Sequence, residues 1–295
     1  MTEGDNGHIL AHDLGTTGNK ASLYDTLGNL ISSEFYGYET HYPKSNWVEQ
    51  EPEKWWKAVR ASTKELLEKA KIGPEALSAI SFSGQMMGCL PVNQKGEPLR
   101  NSIIWADQRG VKQEDELKEK IGKRGVYEIT GHRPSANYSA AKMMWIRDEE
   151  PKKFDKTHKF LQAKDYIVFK LTGKFATDYS DASGTNLFDL EKKEWSREIL
   201  EEIDIPRNKL PEPVPSSKIV GNVTEKASKK TGLDQDTPVV IGGGDGSCAA
   251  TGAGVIEEGD YYNYLGSSSW IAKKKKKPVY DSEMSTFNWV HLDDK

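Results

Sequence analysis

Apolar positions in this chain fall first into short runs of near-alternating polarity and then into longer stretches at helical spacing. Ile9-Leu10-Ala11 leads into Asp13-Leu14-Gly15-Thr16-Thr17-Gly18, and Lys20-Ala21-Ser22-Leu23-Tyr24-Asp25 reads as a second strand beyond that glycine turn. Thr26-Leu27-Gly28-Asn29 is another turn, and residues 30–36 supply a third strand. The opening is thus a three-stranded antiparallel meander, unlike the strand-then-helix start of a Rossmann unit.

A helix is predicted over about residues 53–70, because Trp55, Trp56, Val59, Thr63, Leu66, Leu67 and Ala70 fall three and four apart behind Glu51-Pro52. Residues 76–83 form an apolar strand ending at Gly84-Gln85-Met86-Met87-Gly88. Cys89-Leu90-Pro91-Val92 and Ile103-Ile104-Trp105 flank a Lys95-Gly96 turn and suggest a further hairpin. Helical patterns return at 111–121, 139–149 and 163–171, and residues 204–218, with four prolines, read as a surface connection. Residues 238–244 are a strand running into a glycine turn, and 246–254 a small-residue helix or turn. Residues 261–269 echo the opening strand and its glycine-hydroxyl turn, which suggests that a second copy of the first domain starts near residue 246 with only its beginning present.

Composition narrows the class. The apolar fraction is 36% and reaches an ordinary globular value once the 26 Gly are added. Eight Trp within 9% aromatic residues argue against disorder. With 41 basic against 45 acidic side chains, the net charge of −4 excludes an overall basic surface for coating nucleic acid or anionic membrane. Cys89 and Cys248 are too few for a disulfide framework, so a reducing, cytoplasmic setting is expected. No run of about 18 apolar residues spans a bilayer, and the acidic, polar start Met1-Thr2-Glu3-Gly4-Asp5-Asn6 is wrong for a signal peptide.

Three segments join glycines to groups that handle phosphate. In Asp13-Leu14-Gly15-Thr16-Thr17-Gly18, small residues let backbone N–H groups approach a phosphate, Thr16 and Thr17 add hydroxyls, and an Asp at a strand end suits hydrated Mg²⁺. In Gly242-Gly243-Gly244-Asp245-Gly246, the Asp can accept a proton from a hydroxyl that attacks phosphorus. Gly266-Ser267-Ser268-Ser269 repeats the logic of the first segment. Each alone reads equally well as an ordinary turn. Trp105-Ala106-Asp107-Gln108-Arg109 gathers groups that hydrogen-bond polyols, or else a surface salt-bridge patch, and Gln85-Met86-Met87 alone reads as apolar packing. Lys273–Lys277 is a solvated run that guards a strand edge. No His/Cys set has zinc spacing.

The order of motifs says more than any one of them. Asp13-Leu-Gly-Thr-Thr-Gly, Gly84-Gln-Met, Trp105-Ala-Asp-Gln-Arg, Lys142-Met-Met-Trp145, Lys164-Asp-Tyr166, Ser180-Asp-Ala-Ser-Gly-Thr185 and Gly243-Gly-Asp245 occur in sequence. From about His8 to His291 the chain resembles the FGGY carbohydrate kinases, and within that family it is most similar to the xylulose kinases. The resemblance implies an α/β, actin-like (ribonuclease H-like) fold, a mixed sheet flanked by helices. It also implies a sugar-binding domain over 1–245 and an incomplete start of an ATP-binding domain over 246–295.

Carried over by position, the resemblance implies that Asp13, Thr16, Thr17 and Lys20 face the ATP phosphates, with Asp13 toward Mg²⁺. Gly266, Ser267 and Ser268 match the second phosphate loop, and Asp245 matches the catalytic base. Gln85, Met86, Met87, Asp107, Arg109, Asn137 and Tyr138 match the sugar pocket. The xylulose kinases carry Gln-Met-His-Gly where this chain has Gln85-Met86-Met87-Gly88, a change that removes a polar hand from the sugar. The expected activity is ATP-dependent phosphorylation of a pentulose such as xylulose, or of a related ketose or polyol. Because family members are much longer, the alternative is an inactive sugar-binding fragment; an actin-like ATPase acting on protein partners is a weaker one. Apolar Tyr261, Tyr262, Leu265, Trp270 and Trp289 are expected to lack sheet partners, so dimerisation through that edge is expected as well.

Overall fold

The structure, a computed structural model, describes residues 7–265 and 269–293. Strands β1 (His8–Leu14), β2 (Gly18–Asp25) and β3 (Leu30–Gly37) form the expected antiparallel meander. On the other side of β1 lies β4 (Leu77–Gly84), parallel to it. Strands β5 (Ile219–Asn222) and β6 (Pro238–Val240) complete the main path, in the order β5-β6-β4-β1-β2-β3. A two-residue strand, β7 (Gly243–Gly244), pairs in parallel with Ser83 and Gly84 at the end of β4. Because β1, β4, β6 and β7 run the same way, Asp13, Gly84 and Gly244 all arrive at one edge of the sheet.

Alternation decides what each face does. Leu10, His12 and Leu14 of β1, Asn19, Ala21 and Leu23 of β2, and Ile80 and Phe82 of β4 are buried. They meet helix α1 (Pro52–Ala70), whose first-turn proline is preset for helical geometry and whose buried stripe carries Trp55, Trp56, Val59, Thr63 and Leu66. Two polar residues sit in this layer. Asn19 donates to Ser62 Oγ at 2.8 Å, and His12 lies 3.2 Å from both Asn19 Nδ2 and Thr63 Oγ1. Burial drives the pKa of His12 down to about 4, so its imidazole is neutral.

A second core forms around helices α2 (Val111–Ile121) and α3 (Ser139–Glu149), with Trp145, Phe188, Trp195 and Ile199 at its centre. Helix α4 (Ala163–Thr172) packs into the sheet core, and α5 (Asp245–Gly252) starts where β7 ends.

Two expectations are corrected. The hairpin across residues 89–105 is reduced to isolated bridges, Cys89 to Ile103 and Val92 to Pro98. Leu90–Val92 instead pairs with Lys159–Leu161, and Ser102–Ile103 with Glu49–Gln50, since Pro91 and Pro98 lack the N–H groups of a continuous ladder. Residues 204–218 are more than a surface connection: Ile205 and Leu210 are buried, and Glu212–Val214 pairs in parallel with Ala176–Asp178.

Beyond α5, β8 (Tyr261–Leu265) and β9 (Ser269–Lys273) form a separate hairpin with Tyr261, Leu265, Trp270 and Ile271 exposed and Tyr262 half-buried. The chain then returns along the body. Asn288 N–H donates to Gly131 O, Ser247 Oγ donates to Val290 O, and the Trp289 ring lies 4.3 Å from that of His132.

Gly242 makes the β6–β7 connection possible. Its φ is +70°, and a Cβ there would lie 1.9 Å from Phe82 O. We expect Gly242→Ala to cost well over the roughly 1–2 kcal/mol of left-handed backbone strain, because the rigid backbone of β4 cannot yield. Gly254→Ala, at φ +84° in open space, is expected to cost that strain alone. Denaturant unfolding of both variants checks the difference.

Candidate active site at the carboxyl ends of the strands

The loop between β1 and β2 is held from beneath. Gly15 N–H donates to Gly18 O at 3.0 Å, and Gly15 O accepts from Tyr38 OH at 2.5 Å and Gln85 Nε2 at 3.3 Å. Gln50 Nε2 donates to Thr16 O at 2.7 Å, and its Oε1 accepts from Gln85 Nε2 at 2.8 Å and Trp55 Nε1 at 3.0 Å. Trp105 Nε1 donates to Thr16 Oγ1 at 2.9 Å. Asp13 and Lys20 are register partners, so they project from the same face, and both are exposed. The Asp13 carboxylate has no salt-bridge partner among the described residues.

Asp245 begins α5 at the neighbouring strand end. Packing around it and the negative charge of Asp13 push its pKa up to about 6, a shift that solvent at its open face tempers. Behind it, Gly244 N–H donates to Ser180 Oγ at 2.9 Å, and the Ser180 and Ser216 hydroxyls both donate to Asp178 Oδ2. Lys164 Nζ lies 2.9 Å from Asp165, 3.0 Å from Asp178 and 3.1 Å from Asp181, with all four side chains buried. One cation cannot hold three buried carboxylates ionised, and burial pushes Asp181 far above the usual carboxylate range; it carries the proton.

Next to this edge opens a cleft of about 540 Å³. Met87, Trp105, Asn137, Tyr138, Arg133 and Phe287 are among the residues that line it. Met87 takes φ +61°, and beneath it the buried Met86 fills the space where a Cβ on Gly244 would lie 2.5 Å from its sulfur. Lys142, fully buried, donates to Met87 O at 2.7 Å and to Asn137 O at 2.5 Å, tying these two segments of the lining together. Burial lowers its pKa to about 7, against the opposing pull of Asp107.

Of the residues expected at the sugar, Met87, Asn137 and Tyr138 line the cleft. Gln85 and Met86 lie buried below it. Asp107 and Arg109 turn away from it: Arg109 bonds Asp107 through Nε and Nη2 at 2.8–3.0 Å and also reaches Glu49 at 2.8 Å. Its guanidinium lies 4.0 Å from the Trp47 ring centroid, so this pair is a buried clamp between segments 47–49 and 107–109 rather than a polyol contact. Gly266, Ser267 and Ser268 lie outside the described residues. Sequence reasoning did not single out Lys142 or Arg133 as site residues; Lys142 stood in a quoted motif, but nothing around Arg133 marked it.

An exposed carboxylate at a strand end, near a second one and a loop of hydroxyls and backbone donors, suits Mg²⁺, which takes one or two carboxylates and keeps its waters. Among the described residues, no group of three or more acidic, His or Cys side chains gathers that could hold a metal ion.

Residues 8–252 match the N-terminal domain of the FGGY family of carbohydrate kinases. The xylulose kinase of Staphylococcus xylosus is 31% identical over 284 residues, covering 96% of this chain and 58% of that protein. The glycerol kinase of Thermococcus kodakarensis is 33% identical over 287 residues, covering 95% and 56%. The crystal structure of gluconate kinase from Lactobacillus acidophilus superposes with a TM-score of 0.90 at 29% identity, covering 95% of this chain and 56% of that one. The chain therefore spans just over half the length of these relatives.

Replacing Lys164 by Met strands the ionised carboxylates, and we expect a loss of about 3–5 kcal/mol, whereas Asp181→Asn, which mimics the protonated acid, should cost far less; urea unfolding separates the two. Lys142 has a folded pKa below its unfolded value. Between about pH 7 and 10, the unfolded chain holds a proton that the folded one has released, so this group's contribution makes stability rise with pH. Thermal melts of Lys142→Met should lose that rise; an unchanged pH dependence would refute the assignment.

Proposed function

The chain belongs to the FGGY family of carbohydrate kinases, and on that premise we propose that it forms the acceptor-binding side of an ATP-dependent sugar kinase. The observation that carries this reading is the convergence of Asp13 and Asp245 at one sheet edge, beside a glycine-hydroxyl loop and next to a cleft of sugar size. Residues 1–245 act as the sugar-binding domain and 246–295 as the start of the ATP-binding domain. The acceptor is a ketose or polyol; the relatives are kinases of xylulose, glycerol and gluconate.

In the proposed reaction, an acceptor hydroxyl forms a bond to the γ-phosphorus while the bond from that phosphorus to the β–γ bridging oxygen breaks. Asp245 accepts the hydroxyl proton, and ADP leaves with the bridging oxygen. Thr16, Thr17 and Lys20 bind the phosphates, and the family resemblance assigns Gly266, Ser267 and Ser268 to the same task. Asp13 would hold Mg²⁺, which when bound would neutralise phosphate charge. Tyr138, Asn137 and Met87 seat the acceptor, with Gln85 and Met86 holding the floor. Asp107 and Arg109 serve the pocket by fixing its frame. A cytoplasmic setting fits this activity.

A second reading is that the chain binds sugar without turning over ATP. The exposed apolar face of the β8–β9 hairpin also supports self-association, which light scattering across a concentration series tests.

Sugar-dependent ADP release decides between the readings. We expect Asp245→Asn to lower turnover by about 10²–10⁴-fold with acceptor affinity retained in calorimetry. Wild-type turnover should climb as pH rises through about 6, where Asp245 becomes a carboxylate. Unchanged turnover in the variant sinks the base assignment, and acceptor binding without ATP turnover by the wild type selects the second reading.

A further inference from the structure

The charges that face the cleft are not balanced. Lys118, Lys123 and Arg133 line it with a single acid, Glu114. Lys118 is spent, with its ammonium 2.5 Å from Glu114 and 3.0 Å from Asp115. Glu114 is spent as well, since its other oxygen accepts the Ala136 N–H at 2.8 Å. Lys123 and Arg133 have no salt-bridge partner among the described residues. The Arg133 guanidinium lies 5.3 Å from the Phe287 ring centroid, a stacking that orients the group while leaving its N–H edges free. Its positive charge also acts on the Tyr138 hydroxyl, which lies 3.1 Å from Nδ1 of the neighbouring His132.

The neutral hydrogen-bonding groups of the same cleft are already used. Ser135 Oγ donates to Asn137 Oδ1 at 3.2 Å, and Asn137 Nδ2 donates to Trp105 O at 3.0 Å. The remainder of the lining is largely apolar: Met87, Trp105, Pro134, Met284 and Phe287. An uncharged polyol would thus meet few free neutral donors and two unanswered cations.

Resting on the reading that this cleft seats the acceptor, we propose that it selects an acceptor bearing a carboxylate, a sugar acid, with Arg133 and Lys123 as the specificity-determining residues. The guanidinium fork matches a carboxylate with two parallel N–H···O bonds, and Lys123 adds a point charge. Glu114 and Lys118 answer one another, so the charge left toward the acceptor is that of Arg133 and Lys123. The hydroxyl to be phosphorylated lies at the other end of the acceptor, toward Met87 and Trp105.

Calorimetric titration of the full chain at low ionic strength, with D-gluconate, its neutral six-carbon counterpart D-glucitol, D-xylulose and 6-phosphogluconate, tests this. We expect gluconate to bind at least tenfold more tightly than glucitol or xylulose, and the preference to shrink as salt is added. In Arg133→Gln with Lys123→Gln, gluconate should fall to the level of glucitol while thermal melts stay unchanged. Arg133→Lys should keep only part of the preference, since it keeps the charge and loses the fork. Glucitol or xylulose binding as well as gluconate, or the phosphate ester binding more tightly than gluconate, overturns the carboxylate assignment and leaves the sugar-kinase reading standing. Binding of none of the four overturns both.

Discussion

The structure turns on one short stretch of backbone pairing, Gly243 and Gly244 against Ser83 and Gly84. Parallel pairing here brings the end of β7 alongside the end of β4, which is itself in register with β1. Asp245 and Asp13 consequently emerge on neighbouring strand ends. That approach tolerates no side chains, because Gly242 lies against the carbonyl of Phe82 and Gly244 against the sulfur of Met86. The glycine run is therefore a steric requirement of the site.

Electrostatics is arranged in two depths. Below the edge, charge is compensated: Lys164 answers its neighbouring acids, with Asp181 kept protonated, and Arg109 answers Asp107 and Glu49. From the first of these clusters, Asp178 and Ser180 reach up to the Gly244 amide, fixing the backbone from which Asp245 projects. At the edge and in the neighbouring cleft, charge is left open: Asp13 and Asp245 repel one another, and Lys123 and Arg133 have no ion-pair partner among the described residues. Buried charges must be paired because desolvation is expensive, whereas unpaired ones persist only where water or a ligand can reach them. The division separates the frame from the groups available for binding.

The meander, helix α1 and strand β4 were legible because each carries its own periodicity: Leu10, His12 and Leu14 alternate, and Trp55, Val59 and Leu66 repeat at helical spacing. The glycine-Asp segments were legible because their composition has few other uses once they occur in order. The pairing of Leu90–Val92 with Lys159–Leu161 was not, since the partner lies some 70 residues away and no local signal names it. The burial of Asp107 and Arg109 was hidden for a similar reason: the groups that desolvate and satisfy them, Glu49 and Trp47, come from a different segment of the chain.

By itself, the sequence determined the family, the order of elements, and the residue types at the two strand ends, because hydrophobic period and glycine spacing are local properties of the chain. Only the tertiary structure decided which charged residues are frame and which are free. It placed Arg109 inside and Arg133 on the cleft, although nothing in their immediate neighbours distinguishes them. The physical reason is that a charge's role depends on the distance to its nearest counter-charge and to water, and both are set by residues remote in sequence.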